Sequence, residues 1–422
     1  MNVLIIGSGG REHAIAWKLR KDDISINIIA IPGNGGISEI AGCVDADTGD
    51  IENLADIAET LKADYTIVGP EVPLSAGISD VFQGRGLKIF GPGREGSRLE
   101  SSKIFAKEFM EKYNIPTARF QVAESFEEGA DILERRKYPS VLKYDGLAAG
   151  KGVKVAESKQ EAVLFLEEVY RDRVFGGDGN RILVEDCLTG RELSYLVFTD
   201  TESFAPMVAA VDHKRVFDGD KGPNTGGMGC YSPPFFFDSA LEETIKERIV
   251  IPTLGGLRKE KIDYRGVLYF GLMLTDEGPY VLEYNVRFGD PETQVILPRM
   301  ESSLLEAVDG VIEKKLGSVR IKWSEKKAVC VILASGGYPG KYQKGRSIRG
   351  LGKAEGVILF HAGTERKGDG VITSGGRVLG ITAVDRNIER ARKKVYSAIL
   401  SIDFEGKHYR KDIGLSKNGN DF

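Results

Sequence analysis

Histidine and cysteine are scarce in this chain, and neither is arranged for chemistry. The four histidines stand at 13, 213, 361 and 408, and the four cysteines at 43, 187, 230 and 330. No CxxC pair occurs, so neither a disulfide scaffold nor a zinc–thiolate site is indicated, and a reducing compartment fits best. So few histidines also argue against a histidine-built metal centre. Cys187 and His213 lack the partners of a nucleophile–base pair, which argues against covalent hydrolysis. Neither sign of charge is in excess: 58 Lys and Arg oppose 62 Asp and Glu, a net charge of -4. That balance argues against non-specific nucleic-acid binding but leaves room for a small anion in a local basic pocket. No apolar run approaches the roughly 20 residues of a membrane span. Met1 leads straight into NVLIIG, with no basic leader or cleavage site. The expectation is a cytoplasmic protein with no membrane or nucleic-acid partner.

Glycine, in contrast, is plentiful, with 52 in 422 residues, and the chain is long enough for two to four domains. The apolar runs NVLII (2–6), INIIAI (26–31), YTIVG (65–69) and LKIFG (87–91), with helical material between them, predict an open parallel α/β unit. From about 117 to 190, strand pieces alternate with charged helices in an α+β pattern. A helix is predicted over 239–259, and GVLYFGLMLT with PYVLEYNVRF reads as a hairpin turning at DEG. The composition shifts again near 318–327, where AVCVILAS opens a further set of strands.

Two glycine loops look built for phosphate. GSGGREH (7–13) follows the first strand, where Gly9, Gly10 and Arg11 could meet an anion at a helix N-terminus. It fails the dinucleotide fingerprint because Glu12 stands at the third glycine position. DGLAAGKGV (145–153) fails as a Walker loop: three residues separate Gly146 from Gly150, and Gly152 stands where Ser or Thr would hold magnesium. A hairpin closing over phosphates, with Lys143 in the apolar strand just upstream, is the better physical reading, and an exposed hairpin is the plain one. In VLEYNVRFGDPETQ (281–294), Glu283, Asn285 and Arg287 fall on one strand face, with Leu282, Tyr284 and Val286 on the other. An acid and an amide oxygen are hard ligands suited to Mg²⁺, and the guanidinium suits a phosphoryl group or a carboxylate. DHKR (212–215) and GPNTGGMG (222–229) read either as a catalytic loop or as a long connection. RILVEDCLTGRELSY (181–195) reads as a strand running into a hinge.

Together GSGGREHA, VGPE, DGLAAGKGV, DHKR, GPNTGGMG and EYNVRFGDPETQ resemble the phosphoribosylamine–glycine ligases (glycinamide ribonucleotide synthetases) of the ATP-grasp superfamily. The resemblance extends through GGYPG, FHAGT, TSGGRVL and RKDIG, so it runs almost end to end. It implies an α/β and α+β multidomain fold class. An N-terminal open parallel α/β domain (1–100) binds substrate, and an ATP-grasp core (101–118 and 191–323) carries an inserted lid (119–190). A C-terminal mixed α/β domain (324–422) follows. The implied reaction joins glycine to 5-phosphoribosylamine through a glycyl phosphate, with ATP as co-substrate and Mg²⁺ or Mn²⁺ as cofactor. A monomer with transient contacts to neighbouring purine-pathway enzymes is the implied state.

Carried over by motif, Lys103 and Lys143 resemble the two ATP-grasp phosphate lysines. Gly146, Gly150, Lys151 and Gly152 belong to the lid loop, Glu185, Cys187 and Leu188 to the adenine hinge, and Glu192 is the ribose acid. Glu283 and Asn285 match the metal ligands, and Arg287 a contact to the transition state or to substrate. Asp212, Lys214 and Asn224 fall in motifs lining the substrate cleft, and Gly9, Gly10 and Arg11 in the part receiving the phosphoribosylamine phosphate. KYDG, PGNGG, VEDC and VDHKR stand where the family commonly has KADG, PGNAG, an EEF-like hinge and QDHKR, and none of these changes removes an expected charge or ligand. Two other readings remain open from sequence: a sister ATP-grasp carboxylase or formate-using ligase, and a non-catalytic nucleotide sensor.

Overall fold

The first strand, Asn2–Gly7, sits in the middle of a parallel sheet whose spatial order is Gly42–Cys43, Asn27–Pro32, Asn2–Gly7, Tyr65–Val68, Ile89–Phe90. Its side chains alternate between two cores. Val3 and Ile5 pack with the first helix and the carboxyl-half helices, while Leu4 and Ile6 pack with Leu54, Phe82 and the central sheet. Burial on both faces explains why this strand reads as an unbroken apolar run. The computed structural model describes residues 1–147, 152–176 and 180–415.

A second, antiparallel sheet is ordered Phe204–Pro206, Arg191–Thr199, Gly266–Thr275, Gly278–Asn285, and contains the expected hairpin. The predicted helix over 239–259 is present as Ser239–Ile245 and Ile251–Lys259, joined by a π-helical turn at Lys246–Val250. A third sheet, ordered Phe120–Ala123, Ile182–Asp186, Ser140–Tyr144, Val153–Ala156, is wholly antiparallel. Helices Phe126–Glu134 and Lys159–Tyr170 back it, and Leu133, Leu142, Phe165, Leu166 and Val184 give it a core of its own.

The last large sheet runs Val211–Asp212, Gly229–Ser232, Lys327–Ala334, Arg377–Asp385, Ile358–His361, with helix Ile388–Ser401 packed on it. Its first two strands come from well before residue 324, so DHKR and GPNTGGMG are bound into the carboxyl-terminal sheet. Between them, Arg215–Phe217 and Lys221–Asn224 form a short ribbon.

The amino- and carboxyl-terminal sheets meet at two buried histidines. His13, on helix Gly10–Asp22, accepts a hydrogen bond at Nδ1 from the His361 backbone N–H at 2.8 Å. Burial, then the neighbouring His361, holds His13 down at about 3; burial and then Arg366 hold His361 at about 4. Both rings are therefore neutral in the folded state, while in the unfolded chain they take up protons near pH 6.5. Stability is accordingly expected to fall as pH drops from 6.5 toward 4, by up to about 1.4 kcal/mol per pH unit for each ring. Urea midpoints at pH 7 and pH 5 check this: His13→Gln should show a smaller drop than the unmodified chain, and an equal drop would exclude it.

Candidate active site

Strand Gly278–Asn285 carries Glu283 and Asn285, and Arg287 follows just past its end. Tyr284 and Val286 are buried behind them, as the alternation requires. Leu282 is not. A bulge pairs Gly271 with Glu283 but Leu272 with Val281, so Val281 takes the inward place and Leu282 is displaced from the expected apolar face. The displaced residue has a use, since its carbonyl accepts from Lys143 Nζ at 2.9 Å.

Cations converge on Glu283. Lys214 Nζ lies 3.7 Å from Glu283 Oε1 and 3.5 Å from Glu192 Oε2. Burial alone would raise the Glu283 carboxyl, but Lys214, Lys143, Lys103 and Arg287 together bring it below the usual carboxylate range. Lys103 starts helix Lys103–Lys112 and donates to the Gly146 carbonyl at 2.9 Å. Burial lowers its ammonium, Lys143 adds to that, and Glu283 and Asp145 oppose it. Glu192 first, with Glu283 and Asp212, holds the Lys214 ammonium well above its ordinary range against burial. Lys103, Lys143 and Lys214 thus gather near Glu283, with Glu192 beside Lys214 and Glu185 beside Lys143, and present ammonium groups that suit a polyphosphate.

Arg287 is clamped by two acids. Glu100 Oε1 lies 2.8 Å from one terminal nitrogen and Glu71 Oε2 lies 3.4 Å from Nε. Burial would lower the guanidinium, but Glu100, Glu71 and Glu292 outweigh it. Glu100 also accepts from the Val286 backbone N–H at 2.7 Å, which fixes the turn out of the strand. Glu71 ends the quoted VGPE and Glu100 stands three residues before Lys103, yet nothing local in the sequence marks them as partners of a residue near 287.

At the hinge, the Glu185 side chain turns inward. It is 2% exposed and pairs with Lys107 at 3.1 Å and Lys143 at 2.9 Å. Its carboxylate is thus spent on two lysines, and its carbonyl accepts from Ser140 Oγ at 3.0 Å. Cys187 and Leu188 are half-buried on the connection to the central sheet, burial pushes the Cys187 thiol up, and Glu192 is exposed.

Asp145 is the residue of the glycine loop that the sequence left without a role. It accepts from Ser102 Oγ at 2.9 Å and the Ile104 N–H at 3.2 Å, and pairs with Arg181 at 2.7 Å. It therefore fastens the start of the loop to the start of the Lys103 helix. Gly146 packs against Tyr144, where an added Cβ would meet the ring at 2.7 Å, and the Gly152 carbonyl accepts from the Tyr144 N–H. Gly150 and Lys151 lie outside the described residues.

The remaining candidates divide. Burial, reinforced by Glu292, raises the Asp212 carboxyl well above its usual range, with Lys214 and Arg377 opposing. Its Oδ1 is buried without a hydrogen-bond partner. Glu292 Oε1 accepts from Ser194 Oγ at 2.9 Å and Tyr269 Oη at 2.7 Å. Asn224 is exposed on the short ribbon, opposite Arg215. Gly9 and Arg11 line a cavity of about 380 Å³ shared with Asp47, Thr48 and Asp290, whereas Gly10 faces Gln294 and Ala362. Arg11 is partly spent, with Nε 2.6 Å from Glu12 and a terminal nitrogen donating to the Phe288 carbonyl. Gly9 N–H donates to Glu12 at 2.5 Å, so Glu12, the residue that breaks the dinucleotide fingerprint, instead closes the turn.

A divalent cation fits this site: Glu283 stays ionised, Asn285 adds a neutral oxygen two residues on, and phosphates and water would complete the shell. The described residues hold no cluster of three or more His, Cys, Asp or Glu suited to a metal. Nor is any helix among them long and apolar enough to cross a membrane.

An antiparallel sheet carrying Lys143, set beside a central antiparallel sheet carrying Glu283 and Asn285, with Lys103 at a helix start close by, is the architecture of an ATP-grasp protein. A biotin carboxylase domain of Hydrogenobacter thermophilus 2-oxoglutarate carboxylase shares this fold at 16% identity and TM-score 0.72, over 96% of this chain and 91% of that one. Models of the phosphoribosylglycinamide synthetase N domain, ATP-grasp (A) domain and C domain match residues 1–100, 101–293 and 328–416. The chain belongs to the phosphoribosylglycinamide synthetase family. It is 48% identical to a phosphoribosylamine–glycine ligase of Caldanaerobacter subterraneus subsp. tengcongensis, across 98% of this chain and 99% of that protein. The crystal structure of the Thermotoga maritima phosphoribosylamine–glycine ligase superposes with TM-score 0.85 at 37% identity, covering 98% of this chain and all of the other. ATP and magnesium dependence is general to this fold and family.

Proposed function

We propose that this chain is a carbon–nitrogen ligase that joins glycine to 5-phosphoribosylamine, giving glycinamide ribonucleotide, ADP and phosphate in purine biosynthesis. The observation that carries the reading is the convergence of Lys103, Lys143 and Lys214 on ionised Glu283, beside an Arg287 fixed by Glu71 and Glu100. A nucleotide sensor has no need of an acid, an amide and a guanidinium on one short segment.

Carboxylates are poor acyl donors, so the glycine carboxylate oxygen attacks the γ-phosphorus and ADP departs as the β–γ bridge breaks. The phosphoribosylamine nitrogen then bonds to the acyl carbon, the bond to phosphate breaks and the nitrogen loses a proton. Bound Mg²⁺, or Mn²⁺ in its place, would be held by Glu283 and Asn285 and would offset phosphate charge. Lys103 and Lys143 neutralise the nucleotide, and Arg287 takes the phosphoryl group or the glycine carboxylate. The loop containing Gly146, Gly150, Lys151 and Gly152 covers the phosphates and keeps water from the acyl phosphate. The hinge at Glu185, Cys187 and Leu188 receives adenine and Glu192 the ribose. We assign Asp212 Oδ1 to accept from a substrate amine, with Lys214 and Asn224 on the same cleft. Gly9, Gly10 and Arg11 receive the ribose phosphate. Rate acceleration rests on positioning and electrostatics and needs no side-chain nucleophile.

We assign residues 1–100 to substrate binding, 101–118 with 191–323 to the core, 119–190 to the lid and 324–422 to the carboxyl-terminal domain. A cytoplasmic monomer, making transient contacts with neighbouring pathway enzymes, completes the reading. ADP release should require both glycine and phosphoribosylamine generated in situ. Release supported by bicarbonate or formate, but not by glycine, would assign the chain to a sister ATP-grasp activity.

A further inference from the structure

The carboxyl-terminal sheet sends one half-buried cation into the substrate region, and no step above uses it. Arg377 opens strand Arg377–Asp385. Its guanidinium lies 3.1 Å from Asp290 Oδ2 and donates to the Asp290 carbonyl at 2.8 Å and to the Gly226 carbonyl. Three acceptors in fixed directions suit a planar fork and not a point-charge ammonium. Gly226 is shaped for the contact, since a Cβ there would stand 3.1–3.3 Å from the guanidinium atoms. Asp290 in turn lines the same cavity as Gly9 and Arg11, and its second oxygen accepts from Gln294 at 2.7 Å.

We propose that Arg377 is a positioning residue for the ligation: it holds the Asp290 carboxylate at the wall of the phosphoribosylamine cavity and locks the GPNTGG loop against the GDPETQ segment. The carboxyl-terminal domain thereby completes the acceptor side of the active site, while the nucleotide side is built without it. The proposal rests on the ligase reading above. Ionised Asp290 is then available to accept from the phosphoribosylamine amine or a ribose hydroxyl.

The charged groups around Asp290 are Arg377 from the carboxyl-terminal sheet, Arg11 from the first helix and Arg287 from beyond the central strand. Glu12 and Asp47 line the same cavity, and the Cys330 thiol lies behind. Burial would raise the Asp290 carboxyl, but Arg377 first, then Arg11, bring it below its ordinary range. Removing the Arg377 charge therefore raises it, and the acid limb of activity moves to higher pH.

The test compares Arg377→Met, Arg377→Lys and Asp290→Asn in the full chain, by steady-state kinetics for each substrate across pH. Arg377→Met is expected to lower kcat/KM for phosphoribosylamine about 10–100-fold, leave KM for ATP within twofold and move the acid limb upward. Arg377→Lys should recover part of the loss and return the acid limb, because charge is restored without the fork. If Arg377→Met does not fold, Arg377→Lys decides alone, with a loss of about fivefold or more for phosphoribosylamine and none for ATP. Equal losses for all three substrates with an unmoved acid limb, or phosphoribosylamine kinetics within twofold of the unmodified enzyme, would overturn the proposal. The ligase reading is judged separately, by whether the unmodified chain releases ADP only with glycine and phosphoribosylamine.

Discussion

Glu283→Gln is expected to lower kcat about 10²–10³-fold while leaving the chain folded. The substitution keeps size and one oxygen but removes the charge that Lys214, Lys143, Lys103 and Arg287 share. Two losses coincide. The metal site is left with two neutral amide oxygens, and three lysines face one another with less compensation. Lys103 is already lowered by burial and by Lys143, so without Glu283 its ammonium falls further and grips phosphate less well. The position is on a strand end beside a cleft, not in the apolar core, so thermal unfolding should shift by only a few degrees. The assay is ADP release at saturating glycine and phosphoribosylamine, titrated with Mg²⁺, where the variant should need more metal. A kcat within threefold of the unmodified enzyme, at unchanged Mg²⁺ demand, would remove Glu283 from the ligand set.

Much of this arrangement was legible before any coordinates, for a physical reason. Long elements carry their period in the sequence: the parallel strand Asn2–Gly7 as an unbroken apolar run, the hairpin Gly266–Thr275 and Gly278–Asn285 around its turn. Glycine loops betray themselves by composition. Strands of two residues, such as Gly42–Cys43 and Val211–Asp212, are too short to show alternation, and only their pairing reveals them. The bulge at Leu282 was equally hidden, because alternation assumes a register that the partner strand decides. Charge partners form a third class. Arg287 was visible as a functional cation, but Glu71 stands 216 positions away, and Asp290 is 87 positions from Arg377. Sequence shows which residues can do chemistry; it does not show which carboxylate fixes which cation. Hence Glu185 was legible as part of a hinge, while its pairing with two lysines was not.

That pairing gives the second large effect, on stability. Glu185 sits between Lys107 of helix Lys103–Lys112 and Lys143 of strand Ser140–Tyr144, all three nearly buried. Burial presses the Lys107 ammonium down to about 8, Lys143 pushes the same way, and Glu185 is its main support. Glu185→Ala leaves two buried cations without a carboxylate and should cost about 3–5 kcal/mol. Without Glu185 the Lys107 ammonium falls below 8 and loses its proton where the unmodified chain still holds it, so the deficit should shrink as pH rises toward 8 and level off above it. The sheet that carries Lys143 keeps its own apolar core of Leu142, Phe165, Leu166 and Val184, so the loss should appear first as its local opening away from helix Lys103–Lys112. Amide exchange in Ser140–Tyr144 and Ile182–Asp186 would then accelerate before the amino-terminal sheet does. KM for ATP should rise with it, because Lys143 loses one of the two contacts that aim it. The double variant Lys107→Met/Glu185→Ala separates a charge effect from a packing effect. If the buried ammonium is the penalty, the double variant recovers at least about 1 kcal/mol relative to Glu185→Ala alone. Simple addition of the two single losses would mean that the carboxylate acts through packing, and the electrostatic link between the Lys143 sheet and the Lys107 helix would have to be abandoned.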